Sequence, residues 1–152
     1  MDKKKQFCTF CLGERLCGIP VEEVQEVLQE QAITRVPLAP AAVRGLINLR
    51  GKIVTVIDLQ KRLGLDEENL TASGMNLVVR HGESTVSFLV GSVGDVVDVE
   101  KEAFEELPET LRGESPKTLV MGVYKLPSGL MHVLDAQRGA QIEEANAKEL
   151  RD

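Results

Sequence analysis

Hydrophobic and polar residues alternate with a period of two in short runs, and glycines or prolines interrupt these runs. Such alternation is typical of short β-strands that turn one face toward a core and the other toward water. Four pairs of runs flank short turns and predict four hairpins, namely 6–12 with 16–19, 45–48 with 52–57, 76–80 with 85–90, and 119–125 with 130–134. The pattern therefore predicts an all-β fold.

Helical spacing is confined to short segments. Residues 59–63 follow Asp58, which is a good N-cap, and precede Gly64, which is a good helix terminator. Three other segments carry weaker helical signals. They are a part-helical, part-extended stretch at 21–28, one helical turn around Phe104 and Leu107, and a charged terminal helix at about 141–150.

The chain also repeats itself. Gly13-Glu14 recurs as Gly82-Glu83 at an offset of 69 residues, and Ile57-Asp58 recurs as Leu134-Asp135 at an offset of 77 residues. The change of offset implies an insertion of eight residues in the second half. The segment 107–117 is the natural place for it, because it contains two prolines and a glycine. The duplication predicts two small barrels that hide their strand edges. They share one domain over 1–152, with repeats at about 6–64 and 75–140.

The composition excludes several classes of function. The 152-residue chain has a mass of 16.7 kDa, a formal net charge of −6 and a pI near 5.1. An acidic chain lacks the basic footprint that sequence-independent nucleic-acid binding needs. No apolar run approaches the roughly 20 residues that span a bilayer, and the lysine-rich start is not followed by a signal-peptide pattern. We therefore expect a cytoplasmic protein with no nucleic-acid partner and no direct membrane insertion.

Three cysteines, Cys8, Cys11 and Cys17, lie near the N-terminus, and the first two match a C-x-x-C spacing. If this segment forms a strand, Cys8 and Cys11 point to opposite faces about 10 Å apart, which is too far for a disulfide. His81 and His132 are distant in sequence from the cysteines and from each other, whereas structural zinc takes about four ligands. We expect buried structural thiols, no metal and no cofactor. A cysteine-based redox or metal-sensing domain is the competing interpretation.

Asp58 and Asp135 occupy matched positions of the repeat, each between a predicted strand and a helix-like segment. A pair of aspartates suggests a catalytic dyad, but the matched positions favour N-caps of the segments that follow. The chain has no phosphate-binding loop, nucleophile elbow or H-E-x-x-H pair. The sequence therefore predicts no catalytic residues and no enzymatic activity.

The segment Asn48-Leu49-Arg50-Gly51 separates two strongly apolar runs. One interpretation is a simple hairpin turn, since asparagine and glycine tolerate positive φ. The other is a platform on which Arg50 presents its five-donor guanidinium beside an apolar surface, as an interface anchor does. The residues by themselves support both interpretations equally.

The same segment belongs to a longer run, GLINLRGKIVTVIDL at 45–59, which closely resembles the signature of the CheW-like chemotaxis coupling proteins. The upstream segments GIPVEEVQEV at 18–27 and ITRVP at 33–37 are similar to the first-barrel segment of that family and to its lead-in to the signature. The resemblance covers about residues 6–140 and is stronger in the first half. Thr55 stands where the family usually has proline, and threonine suits a strand better than proline does.

The resemblance implies a fold of two intertwined, five-stranded SH3-like barrels with short helices. It also implies a non-enzymatic adaptor in bacterial chemotaxis signalling. The implied partners are the regulatory domain of a CheA-type histidine kinase and the cytoplasmic tip of chemoreceptors, so the implied location is the cytoplasm at chemoreceptor arrays. The alternative within this class is a CheW-like paralogue in another chemosensory array, for example one that controls surface motility.

Motif positions carry functional residues of the family over to this chain. The resemblance assigns coupling to the receptor or kinase to four residues, Val24, Glu26, Asn48 and Arg50. It assigns structural roles to Gly45, Gly51 and Asp58, and the repeat adds Asp135 to this structural set.

Overall fold

A computed structural model describes residues 3–29, 31–65, 74–108 and 119–141 of the chain. The strands in these ranges are β1 (Lys4–Leu12), β2 (Arg15–Pro20), β3 (Val24–Leu28), β4 (Val43–Leu49), β5 (Lys52–Asp58), β6 (Met75–His81), β7 (Ser84–Val90), β8 (Ser92–Glu100), β9 (Glu105–Glu106), β10 (Val120–Leu126) and β11 (Gly129–Leu134). Two short helices, α1 (Leu59–Arg62) and α2 (Ala136–Gly139), follow β5 and β11. The predicted all-β fold with short helices is confirmed.

The four predicted hairpins are present as β1–β2, β4–β5, β6–β7 and β10–β11. Gly13 and Gly82 turn the first and third of these with φ of 65° and 62°. Glycine adopts such a φ without the steric cost that a Cβ brings. Local turn chemistry and two-residue alternation are therefore enough to place these strands.

The acidic stretch before residue 108 differs from the prediction. β8 runs as a nine-residue strand to Glu100, although the alternation does not mark it, and the helical turn covers Lys101–Ala103 rather than Phe104 and Leu107. β8 is an edge strand whose residues are mostly exposed, so it lacks the regular buried positions that mark a strand in sequence. The part-helical, part-extended prediction for 21–28 is confirmed, since a 3-10 turn precedes β3.

The two sheets exchange strands between the halves of the chain. Barrel one has the strand order β8-β1-β2-β11-β10-β9, and barrel two has the order β3-β6-β7-β5-β4. Each barrel therefore combines a hairpin of one half with three long strands of the other. One side of the hairpin makes a parallel pair, β2–β11 or β5–β7, and the other side makes an antiparallel pair, β1–β8 or β6–β3. When each strand is replaced by its counterpart in the other repeat, the strand order of one barrel becomes that of the other, apart from the two-residue β9. The predicted intertwined barrels are confirmed, with β9 as a minimal sixth strand in barrel one.

Among the described residues, three hydrophobic clusters stabilise this arrangement. The largest combines residues of both barrels and both helices, among them Phe10, Leu59, Phe88 and Ala136. A second cluster around Phe7, Tyr124 and Met131 fills barrel one, and a third around Ile47, Val54 and Leu89 fills barrel two. Because both barrels contribute to the largest cluster, burial of its apolar surface holds the two barrels together.

Each barrel also carries a segment across the outer edge of its last long strand, and a glycine leaves room for it. In barrel two, Thr34 exchanges two backbone hydrogen bonds of 2.8 Å with Leu46, and a Cβ on Gly45 would lie 2.3 Å from the Thr34 carbonyl oxygen. In barrel one, a Cβ on Gly122, at the matching position, would lie 2.4 Å from the Glu105 carbonyl oxygen. The two glycines thus permit both edges to be covered.

Several predictions fall on residues that the structure does not describe. The predicted insertion at 107–117 lies mostly outside the described residues, and the predicted terminal helix at about 141–150 lies almost wholly outside them. The repeat bounds stay predictions. Within the described ranges, neither helix has the length and apolar composition needed to cross a bilayer.

Candidate functional site

The turn between β4 and β5 holds Arg50 in an unusual backbone conformation. Arg50 has a φ of 52° and Gly51 a φ of 87°, so both central residues are left-handed, as in the two-residue turns that suit hairpins. Asn48 supports this turn, because its Oδ1 accepts a hydrogen bond of 2.9 Å from the Gly51 amide. A left-handed φ is unfavourable for arginine, and backbone strain of this kind concentrates at functional sites.

The guanidinium of Arg50 forms a two-pronged ion pair with Glu26 on β3. Nη1 of Arg50 donates to Oε1 of Glu26 at 3.2 Å, and Nη2 donates to Oε2. Paired bonds of this kind fix the orientation of both side chains. The hydrogen bond from Arg50 holds the pKa of Glu26 below its usual value and raises the pKa of Arg50. The Arg50 side chain remains 71% exposed, so a partner can still reach it.

Apolar side chains are exposed on the same elements. Val27, next to Glu26 on β3, is 38% exposed. Ile53, which pairs with Asn48 across the β4–β5 hairpin, is 66% exposed. Val24 is partly buried and packs against the core between the barrels. An accessible guanidinium on the same elements as exposed apolar residues is a common composition for a protein-binding hot spot.

The four residues assigned to coupling have different surroundings in the structure. Glu26 and Arg50 contact each other, whereas Asn48 supports the turn and Val24 packs against the core. The sequence does not pair Glu26 with Arg50, because β3 and the β4–β5 hairpin lie at opposite ends of the strand order of barrel two. Ile53 is absent from the predicted set, although an apolar side chain on the strand face opposite the buried Val54 and Val56 is a usable signal.

Asp58 and Asp135 cap the two short helices. Oδ1 of Asp58 accepts a hydrogen bond of 3.3 Å from the Lys61 amide, and Oδ1 of Asp135 accepts one of 3.1 Å from the Arg138 amide. Asp58 has a further partner, since Nη1 of Arg44 lies 3.3 Å from its Oδ2, and its side chain is only 4% exposed. Asp58 therefore combines a cap with a partly buried ion pair.

Replacing Asp135 by alanine is expected to lower the free energy of unfolding by about 1 kcal/mol, the usual cost of losing an N-cap. Replacing Asp58 by alanine is expected to lower it by about 3 kcal/mol, because this change also leaves the partly buried Arg44 without its carboxylate. Urea denaturation of the two variants measures the difference. In an Arg44→Met background, the Asp58→Ala loss should shrink toward that of a cap. Equal losses for Asp135→Ala, for Asp58→Ala and for Asp58→Ala in the Arg44→Met background would show that the ion pair contributes no stability.

The three cysteines are free thiols on β1 and β2. Cys8 and Cys17 are buried, and Cys11 is half-buried. Burial raises the pKa of Cys8, and burial together with the neighbouring Cys11 raises the pKa of Cys17 to about 12, against a smaller opposing effect of Arg15. A thiol must ionise before it reacts or binds a metal. Across the described ranges, no group of three histidine, cysteine or acidic side chains is placed to hold a metal ion.

We expect a single thiol, that of Cys11, to react quickly with a disulfide reagent in the native protein at about pH 8, and all three thiols to react in urea. Mass spectrometry of the labelled peptides identifies the reactive site. A Cys11→Ser variant should lose the fast phase and keep the slow one. Fast labelling of Cys17, or a disulfide in the freshly purified protein, would contradict this expectation and favour the redox interpretation.

Comparisons with known proteins agree with this fold. A family model described as CheW-like domain matches residues 6–144. The chain is 30% identical over 141 residues to the chemotaxis protein CheW of Treponema pallidum, a match that covers 90% of this chain and 82% of that protein. It is 32% identical over 100 residues to the protein PilI of Pseudomonas aeruginosa, which covers 65% of this chain and 56% of PilI.

A solved structure shows the same architecture. The scaffolding protein TtCheW from Thermoanaerobacter tengcongensis superposes with a TM-score of 0.77 at 28% sequence identity, and the match covers 86% of this chain and 88% of TtCheW. The family model spans strands of both barrels, and the strand exchange requires both halves of the chain. The chain therefore belongs to the family of CheW-like domain proteins.

Proposed function

We propose that this chain is a non-enzymatic adaptor that couples chemoreceptors to a CheA-type histidine kinase in bacterial chemotaxis, in the cytoplasm at chemoreceptor arrays. The observation that carries the proposal is the Glu26–Arg50 pair. Within a CheW-like fold, a strained turn holds an accessible guanidinium against Glu26, on elements that also expose Val27 and Ile53. Relatives that bear the names chemotaxis protein CheW and scaffolding protein TtCheW support the same role.

The contact with the cytoplasmic tip of a chemoreceptor suits an arrangement in which a helix packs into an apolar groove. Val24 and Val93 occupy matched positions on the edge strands β3 and β8, and both pack against the core between the barrels. Val27 and Val96, also matched, are 38% and 50% exposed. A receptor helix would cover these valines, and one of its carbonyl or carboxylate oxygens would accept a hydrogen bond from Arg50.

The contact with the kinase suits packing of one barrel against another. Ile53 on β5 and Leu130 on β11 occupy matched positions and are 66% and 51% exposed. The two barrels therefore offer equivalent apolar patches to the regulatory domain of the kinase. Such docking needs no bond-making on the adaptor, because its contribution is to hold receptor and kinase at a fixed separation.

Calorimetric titration tests the proposal directly. The protein is titrated with the regulatory domain of the CheA-type kinase of the same organism and, separately, with a receptor fragment that includes the cytoplasmic tip. We expect saturable one-to-one binding to each. Phosphorylation of the kinase should respond to receptor only when the adaptor is present. Absence of binding to either partner would overturn the proposal.

Two matched variants separate the contacts. Leu130→Ser and Ile53→Ser remove equivalent apolar side chains from the two barrels, so their effects on kinase binding show which barrel docks. Neither side chain is buried, and we expect both variants to unfold within about 2 °C of the unmodified protein. Binding to the kinase and receptor of a separate surface-motility array, in place of the chemotaxis pair, would assign the chain to the paralogue role.

A further inference from the structure

The bulged residues of the two barrels are not equivalent in chemistry. β4 and β10 each carry a bulge against the neighbouring strand, between Val43 and Gly45 in barrel two and between Val120 and Gly122 in barrel one. The residue inside the bulge is Arg44 in barrel two, which pairs with Asp58 at 3.3 Å. In barrel one the matching residue is methionine.

The backbone around the two sites is the same. The Asp58 amide donates to the Ala42 carbonyl at 2.7 Å, and the matching Asp135 amide donates to the Leu119 carbonyl at 2.8 Å. Both aspartates then cap the helix that follows. Met121 therefore stands beside Asp135 in the position that Arg44 takes beside Asp58. None of the ion pairs between described residues involves Asp135.

Asp135 and Met121 open onto a large cavity on barrel one. The cavity has a volume of about 1130 Å³ and is lined by acidic, aromatic and aliphatic side chains that include Glu22, Glu23 and Tyr124. Met121 is 51% exposed, whereas Arg44 and Asp58 in the ion pair of barrel two are 31% and 4% exposed. Barrel one thus presents a helix-capping carboxylate and three further acids, Glu22, Glu23 and Asp98, next to apolar surface, with no arginine of its own at the bulge.

Three lysines also line this cavity, but they leave the Asp135 carboxylate available. The described ion pairs join none of them to Asp135. The ammonium of Lys5 lies 5.5 Å from the centroid of the Phe7 ring, so it is engaged with an aromatic face. Asp135 therefore makes no ion pair with a described residue, and a cation from another molecule can approach its partly exposed carboxylate.

We propose that the Asp135–Met121 site takes an arginine side chain from a partner protein, which completes in barrel one the ion pair that Arg44 makes internally in barrel two. Arginine fits because its planar guanidinium can bond the free carboxylate oxygen while its aliphatic stem packs on Met121 and Tyr124. Resting on the proposed function, we assign this arginine to the regulatory domain of the kinase. The Glu26–Arg50 pair lies on barrel two and is available to the receptor.

Two substitutions test the site by calorimetry with the kinase regulatory domain. Asp135→Asn keeps a capping side chain but removes the charge, and it should weaken binding about tenfold, the usual scale for one charge-assisted pair. Met121→Arg supplies the missing guanidinium internally, so it should weaken binding at least as much while the melting temperature stays the same or rises. Glu83→Gln removes one acidic side chain from the exposed β6–β7 turn and serves as the matched control, with unchanged affinity.

A second measurement does not depend on the proposed function. The methyl resonance of Met121 is followed by NMR while an N-acetylated Leu-Arg-Leu amide is added. In a second titration, the same peptide carries citrulline in place of arginine, so that a neutral isostere replaces the charged guanidinium. We expect a saturable shift with arginine, and none with citrulline or in Asp135→Asn. Equal shifts for both peptides, or normal kinase binding by both variants, would overturn the inference.

If the unmodified protein binds receptor but no kinase domain, the proposed function fails while the peptide result still decides the site. Loss of receptor binding in Asp135→Asn, with kinase binding intact, would give the site to the receptor.

Discussion

Replacing Gly45 by alanine is expected to lower the free energy of unfolding by about 4 kcal/mol, one of the largest effects a single methyl group can have in this protein. Two costs add together. The φ of 147° at Gly45 is unfavourable for a residue with a Cβ. The new Cβ would also lie 2.3 Å from the backbone oxygen of Thr34, which two hydrogen bonds to Leu46 hold in place.

Urea denaturation followed by circular dichroism measures this loss. Gly51→Ala is the matched control, because Gly51 also has a positive φ of 87° but a Cβ there meets nothing within 4 Å. We expect the control to lose only about 1 kcal/mol, from backbone strain. Similar losses in the two variants would show that the segment crossing at Thr34 moves aside easily and does not constrain the edge of barrel two.

Arg50→Ala is expected to weaken receptor binding about 30-fold, as for a central arginine of an interface, with little change in stability. The Arg50 side chain is 71% exposed, and exposed ion pairs contribute little to folding. Removing the guanidinium therefore costs the partner contact far more than it costs the fold. Calorimetry with the receptor fragment measures the first effect, and thermal unfolding measures the second.

Arg50→Gly separates the two effects further. Glycine accepts the φ of 52° without strain, so this variant should fold as well as the parent and still lose receptor binding. Glu26→Gln keeps the shape of its side chain but removes the charge that orients Arg50, so it should produce an intermediate loss. A parallel fall of binding and melting temperature across these variants would show that Arg50 acts by closing barrel two rather than by contacting the receptor.

The pH dependence of the Glu26–Arg50 pair follows from the direction of the Glu26 pKa shift. Since Arg50 holds this pKa below the ordinary carboxyl value of 4.5, the pair is complete above that value. It is lost as the pH falls through the lowered pKa of the folded state. We therefore expect titration of Glu26 to leave receptor binding unchanged near neutral pH, where this carboxylate stays ionised, and its contribution to binding to disappear only in acid.

The hairpins and helix caps could be predicted because the signals are local. Glycine at positions 13 and 82 permits the turns, alternation places the flanking strands, and Asp58 and Asp135 cap the segments that immediately follow them. The edge strand β8 escaped prediction for a related reason, since an exposed acidic strand carries little alternation. The candidate site was only partly predictable, because the motif gives Glu26 and Arg50 by resemblance but does not show that they touch.

By itself, the sequence determined the strand content, the turn positions, the capped helices and the duplication, because each depends on residues that are near one another in the chain. Only the tertiary structure decided which hairpin joins which barrel, since the exchange in β2–β11 and β5–β7 is stabilised by burial shared between distant segments. Barrel closure likewise brings Glu26 to Arg50. The tertiary structure also decided the different environments of Asp58 and Asp135. These depend on the bulged residue of the neighbouring strand, which is Arg44 in barrel two and Met121 in barrel one.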